Sequence, residues 1–187
     1  MSLPPLWVLD TNIVLDLWVF HDPQVQPLRQ VLGLPALDGG ESRPDAGDTA
    51  DTADTADTAA SADQAGTVPA RWLATPVMRE ELARVLAYPH LVRREPLGPS
   101  RAEQVLAAYD RAVTLCPPAP KARFTCTDAD DQKFIDLAAA HACPPPLSVA
   151  RPAPLSVVLL SKDRAVLRLH KRLATLGVWV GRTWTCT

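Results

Sequence analysis

Apolar residues fall along this chain in two spacings. Short unbroken runs at Leu6-Trp7-Val8-Leu9, Trp72-Leu73-Ala74, Ser156 to Leu160 and Val178-Trp179-Val180 have the length of buried strands. Between them lie longer segments with helical punctuation. Ile13 to Phe20 is apolar nearly all round, which suits a buried helix. Asp22-Pro23 reads as a cap with proline at the first helical position, opening a helix to about Leu32. Thr75-Pro76 caps a helix from Val77 to about Ala87, and Pro99-Ser100 opens one to about Val113. Asp128 or Asp130 caps another to about Ala142, and Asp163 starts a last helix that Gly177 stops after Leu176. Strands alternating with helices of this length predict a parallel sheet covered on both faces.

One stretch breaks the pattern. From Ala36 to Thr67 the chain is mostly Gly, Ser, Pro, Asp, Thr and Ala, with the tract DTADTADTADTAA from Asp48 to Ala60. Such a segment has no large side chain to bury against its ordering entropy, so residues 36–67 are expected to be a disordered, low-complexity acidic insertion in a single domain spanning 1–187. Composition adds little against this picture. A formal net charge of −2 shows no global basic field for nucleic acid, although a local basic face can coexist with an acidic site. Cys116, Cys126, Cys143 and Cys186 have neither zinc-knuckle nor redox spacing. The start, MSLPPLWVLD, lacks the regions of a signal peptide, and no apolar run reaches the roughly 18 residues of a membrane span. A soluble, cytoplasmic protein is the expectation.

In open parallel sheets, sites form beyond the carboxyl ends of the strands. Asp10 directly follows one predicted strand, and Asp163 follows another after Ser161 and Lys162. Each is also a favoured helix N-cap. Two further carboxylates are set by helical spacing. Glu81 is four residues from both Val77 and Val85, inside the apolar stripe of its helix, whereas Glu80 faces Arg84 as a solvent-side ion pair would. Asp131 shares the face of Phe134, Ile135 and Ala138, while Asp136 lies off that stripe beside Lys133 and reads as surface. Asp128 and Asp130 read as caps, with Asp128 able to reach the rim of a site. A carboxylate aimed at a core is costly unless a cation or hydrogen bonds compensate it.

Asp10, Glu81, Asp131 and Asp163 can thus converge at one end of one sheet. Four anions in one pocket raise one another's pKa values, and divalent cations relieve the repulsion. All-oxygen ligation suits Mg²⁺ or Mn²⁺. A carboxylate-held metal pair generates a hydroxide and stabilises in-line displacement at phosphorus, chemistry that needs no protein nucleophile.

The segments VLDTNIVLDL, EELARVL, DADDQKFIDLAAA and VVLLSKD, in this order, resemble the PIN domain, in particular the branch of toxin components of toxin–antitoxin systems. The resemblance covers nearly the whole chain outside the insertion. It implies a three-layer α/β/α fold with a central, mainly parallel sheet and a Mg²⁺- or Mn²⁺-dependent endoribonuclease. It maps the family's acidic positions onto Asp10, Glu81, Asp131 and Asp163, and its supporting polar positions onto Thr11, Asn12 and Ser161. The chain departs from the family pattern in the insertion, in the proline-rich PPPLSVARPAP segment, and in SKD where Thr-Gly-Asp is more usual. The first two departures can alter access to the site or a docking surface.

The reading that follows is a ribonuclease with an RNA substrate, a cognate antitoxin protein as partner and a homodimeric state. Arg79, Arg84, Arg93, Arg94, Lys162, Arg164, Arg168 and Lys171 are its candidate phosphate contacts. The competing readings are a catalytically inactive binding module of the same fold, acting through a protein partner, and a structure-specific DNase. A carboxylate–metal site does not itself sense the 2′-hydroxyl.

Overall fold

Four short apolar strands and one strand not predicted from the sequence assemble side by side. The computed structural model describes residues 6–34, 37, 70–89, 91, 99–143 and 156–184. Its strands are β1 (Leu6–Leu9), β2 (Arg71–Ala74), β3 (Val113–Leu115), β4 (Val157–Leu160) and β5 (Val178–Gly181). Its helices are α1 (Thr11–Trp18), α2 (Pro27–Val31), α3 (Pro76–Leu86), α4 (Pro99–Ala112), α5 (Gln132–His141), α6 (Arg164–Leu167) and α7 (His170–Ala174). The sheet order is β3-β2-β1-β4-β5, and every pairing is parallel. Together with the helices this is the three-layer α/β architecture expected. These elements belong to one compact unit, Met1–Leu37 with Val68–Thr187. The 36–67 insertion, apart from Leu37, and the proline-rich segment at 144–155 lie outside the described residues.

β1 and β4 form the centre. Leu6 pairs with Val157 and Leu9 with Leu160, and the ladder continues through Asp10 N–H to the Leu160 carbonyl at 2.9 Å. All four β4 residues are buried, as a strand covered on both faces requires. Each such side chain contributes about 1.5–3 kcal/mol relative to exposure. α5 lies over β1 and β4, while α3 packs against α1 and α4. Trp72 of β2 packs against both α1 and α4, its ring 5.7 Å from Trp18 and 5.1 Å from Tyr109. Among the described residues no helix is long and apolar enough to cross a membrane.

The structure corrects several boundaries. α1 begins at Thr11, directly after Asp10, because the backbone turns helical as soon as the strand ends. Asp22 does not open a helix. Its carboxylate accepts from Gln24 N–H at 2.9 Å, a local turn that competes with helix, and α2 starts only at Pro27. Val113 to Leu115 continues α4 as an edge strand, its amides drawn into pairing with β2. Neither Asp128 nor Asp130 caps α5; Asp131 holds that position. The segment after Asp163 is two short helices rather than one.

Gly177 ends the last helix at φ +86°, and a Cβ there would stand 2.4 Å from the Cys143 carbonyl oxygen. Gly177→Ala therefore meets both an unfavourable backbone region and a backbone clash. We expect a loss of roughly 2 kcal/mol or more in urea unfolding. An unchanged midpoint would show that the turn relaxes without cost.

Candidate active site

The carboxyl ends of β1 and β4 deliver the first two acidic residues. Asp10 is 3% exposed, and it occupies the N-cap position of α1 without capping it. Its Oδ2 instead accepts from Asn12 Nδ2 at 2.7 Å and from Ser161 Oγ at 2.5 Å. Burial pushes the Asp10 carboxyl above its ordinary range. The Ser161 and Asn12 hydrogen bonds hold it down in part, and the charge of Glu81 adds to the rise. Ser161, fully buried, also accepts from Asp163 N–H at 2.9 Å, so one hydroxyl ties the two strand ends together. Asn12 Oδ1 accepts from Lys162 N–H at 3.1 Å and closes the same loop of contacts.

Asp163 does act as a cap. Its Oδ1 accepts from Ala165 N–H at 2.5 Å at the start of α6. Asp131 does not: it holds the N-cap position of α5 with no capping bond, and its Oδ2 is buried with no hydrogen-bond partner. Burial and the charges of Asp10, Asp163 and Asp128 push the Asp131 carboxyl up to about 7, with Lys133 opposing. Asp128 is exposed, and its Oδ1 accepts from Asp130 N–H at 2.9 Å.

Glu81 arrives from α3. Its Oε1 accepts from Thr11 Oγ1 at 3.0 Å, and its Oε2 pairs with Lys133 Nζ. Glu81 is part-buried and Glu80 exposed, but the apolar stripe expected around Glu81 is not the one that forms. The buried face of α3 is Met78, Leu82 and Leu86; Val77 is 49% exposed, and Glu81 lies at the edge of that face. The Glu80–Arg84 ion pair does not form. Asp136 is not a surface partner of Lys133 either. It accepts from Ala122 N–H at 2.8 Å and Gln132 Nε2 at 2.6 Å, and so fixes the loop that leads into α5.

Two charged groups went unnoticed in the sequence. Lys133, read there only as a neighbour of Asp136, reaches across to Glu81. Asp16, buried in α1, pairs with Lys162 Nζ at 2.6 Å, and Asp22 takes the same ammonium at 2.6 Å. The signal for Asp16 was present, since a carboxylate inside an all-apolar helix requires a partner. These pairs also reduce the phosphate-contact list. Lys162 is engaged, and Arg79 is held by Asp110 through two bonds of 2.7 Å. Arg84 lines a cleft of about 540 Å³ between α3 and the start of α5, together with Glu80, Glu81, Tyr88, Asp130 and Lys133 among others. Arg164, Arg168 and Lys171 are exposed, and Arg93 and Arg94 lie outside the described residues.

The donor set is all oxygen, and the bare Asp131 oxygen among three neighbouring anions suits a hard divalent cation. The side chains do not yet gather into a ligand shell. Among the described residues, no three His, Cys, Asp or Glu groups are placed to hold a metal ion. The reason is visible in the contacts: Glu81 is satisfied by Thr11 and Lys133, and one oxygen of Asp163 by its own helix. Comparisons of the chain with protein-family models, with curated proteins and with solved structures give no match.

Proposed function

We propose that the protein is a metal-dependent endoribonuclease of the PIN type, using Mg²⁺ or Mn²⁺ and serving as the toxin of a toxin–antitoxin pair. The observation that carries this reading is the Asp131 carboxylate, which has a buried, unpartnered oxygen beside Asp10 and Asp163 at the end of a parallel sheet. Burying anions together is unfavourable unless a cation completes them. Asp10, Asp131 and Asp163 are the residues that would hold the ion, with Glu81 completing the site from α3. When bound, a divalent cation supplies a hydroxide at neutral pH and stabilises the in-line displacement at phosphorus. The chain's own part is orientation. Ser161 and Asn12 fix one oxygen of Asp10 and so set the orientation of its carboxylate. Thr11 does the same for Glu81. RNA as substrate, a cognate antitoxin and a homodimer follow from the resemblance of the four sequence segments.

A second reading, a binding module without catalysis, is favoured by one observation: Glu81 is already satisfied without a metal. Incubating the protein with a labelled RNA pool and a matched single-stranded DNA pool separates the possibilities. With Mn²⁺ or Mg²⁺, RNA is cut and DNA is not; with a chelator, neither is. Undiminished RNA cleavage in chelator would reject the metal mechanism. No cleavage together with no metal binding would favour the binding module.

A further inference from the structure

We propose that Lys133 is a resident counter-cation of Glu81 that a divalent ion must displace, so that the Lys133–Glu81 pair sets the metal concentration at which the site fills. This inference rests on the metal-dependent reading above. It starts from the asymmetry of charge around the pocket. On the sheet side, Asp10 is held by the neutral donors Asn12 and Ser161, and Asp131 has a bare oxygen. On the α3 side, Glu81 has a full positive charge against Oε2. The pair is largely withdrawn from water, with the Lys133 and Glu81 side chains 20% and 19% exposed.

Lys133 is not held by Glu81 alone. Its ammonium also donates to the Asp130 carbonyl and lies 4.6 Å from the centroid of the Phe134 ring. A carboxylate, a carbonyl dipole and a ring face all favour a cation there. Removing one of the three leaves the other two, so the ammonium can leave Glu81 without being stranded. The cleft beside it gives room for the movement, since Lys133, Asp130 and Glu81 all line that space of about 540 Å³. A lysine suits exchange better than an arginine: it is a point charge on a flexible stem, without a planar fork locked to both oxygens.

A divalent ion and the ammonium cannot share Oε2, because like charges at contact distance repel. Metal binding through Glu81 is therefore a substitution of one cation for another. Lys133 stabilises the metal-free protein by compensating a part-buried carboxylate. The same contact weakens metal affinity by competition.

Calorimetric titration of the full chain with Mn²⁺ tests the exchange, using wild type, Lys133→Met, Glu81→Gln and the double variant. Lys133→Met is expected to bind Mn²⁺ more tightly, by roughly fivefold or more, the usual scale of a coupling between two sites. Its metal-free form is expected to melt below wild type, and Mn²⁺ to raise its Tm by more than it raises wild type's. In the Glu81→Gln background, replacing Lys133 should raise Mn²⁺ affinity by clearly less than it does in wild type, the remainder being the loss of its charge near Asp131. Should Lys133→Met not fold, Lys133→Gln gives the same reading. Equal or weaker Mn²⁺ binding by the single lysine variant would overturn the exchange alone. An equal gain in the Glu81→Gln background would do so too, since it would reflect net charge rather than displacement. A wild type that binds no Mn²⁺ would overturn the metal-dependent reading, and the exchange with it.

Discussion

At pH 8 without metal, the Asp131→Asn protein is expected to melt above wild type, and near pH 4 the two are expected to converge. The sign follows from the Asp131 carboxyl, whose ordinary value of 3.8 is pushed to about 7 by burial and by Asp10, Asp163 and Asp128. Below 3.8 both the folded and the unfolded chain hold the proton, and the group costs nothing. Between 3.8 and 7 the unfolded chain ionises first, so stability falls as pH rises, and above 7 the loss is complete. The full shift corresponds to about 4 kcal/mol. Asp131 is only partly buried, and solvent screening reduces that to about 1–2 kcal/mol. For a chain of this size the difference is roughly 2–8 °C in Tm. Asparagine is a good N-cap residue, so α5 loses nothing by the exchange. Saturating Mn²⁺ should reverse the order, since the carboxylate gains a cation and the amide does not. A melting temperature for Asp131→Asn below wild type at pH 8 without metal would mean that the carboxylate is compensated in some other way.

Asp10→Asn should have the largest effect on activity. Its amide oxygen can still accept from Ser161 and Asn12, so the fold at the end of β1 persists. The other oxygen becomes an NH₂ group, which offers no lone pair to a cation. Losing a group that only orients a metal ligand typically costs 10–100-fold. Loss of the ligand itself should exceed that, reaching on the order of 10³-fold or more in RNA cleavage, whereas Ser161→Ala should fall within the 10–100-fold range. The measurement is single-turnover cleavage of labelled RNA at saturating Mn²⁺, with circular dichroism as a check on folding. Cleavage by Asp10→Asn within a few-fold of wild type would remove Asp10 from the chemistry.

Much of this arrangement could be read from one-dimensional patterns, and the failures have physical causes. Runs such as VVLL announce a strand buried on both faces, so the parallel sheet and the acidic residues following β1 and β4 were legible. Helical spacing selected Glu81 and Asp131 because each sits beside a buried face. It erred over Val77, which spacing puts in the stripe and tertiary packing leaves exposed. β3 was invisible because three residues at a sheet edge carry no period of their own, and only the neighbouring β2 strand makes them extended. The partners of Lys133 and Lys162 were missed for another reason. Local spacing offered Asp136 to Lys133, while the real partner comes from a different helix across the pocket. Long-range ion pairs depend on where elements dock, which periodicity does not encode.

The all-parallel sheet has a consequence for how such a chain can change over generations. Every connection from a helix into a strand enters at the amino ends, where Leu6, Arg71 and Val157 stand side by side. Asp10, Ser161 and Asp163 follow the opposite ends. The two stretches of unusual composition, the Asp-Thr-Ala tract and the proline-rich segment, rejoin the described chain at Ala70 and Ser156, immediately before β2 and β4. Repeat units can accumulate or be lost at those joints without altering the spacing of a strand end and the acidic residue that follows it. A change in the length of either stretch therefore leaves the reactive groups in register with the strand ends they follow.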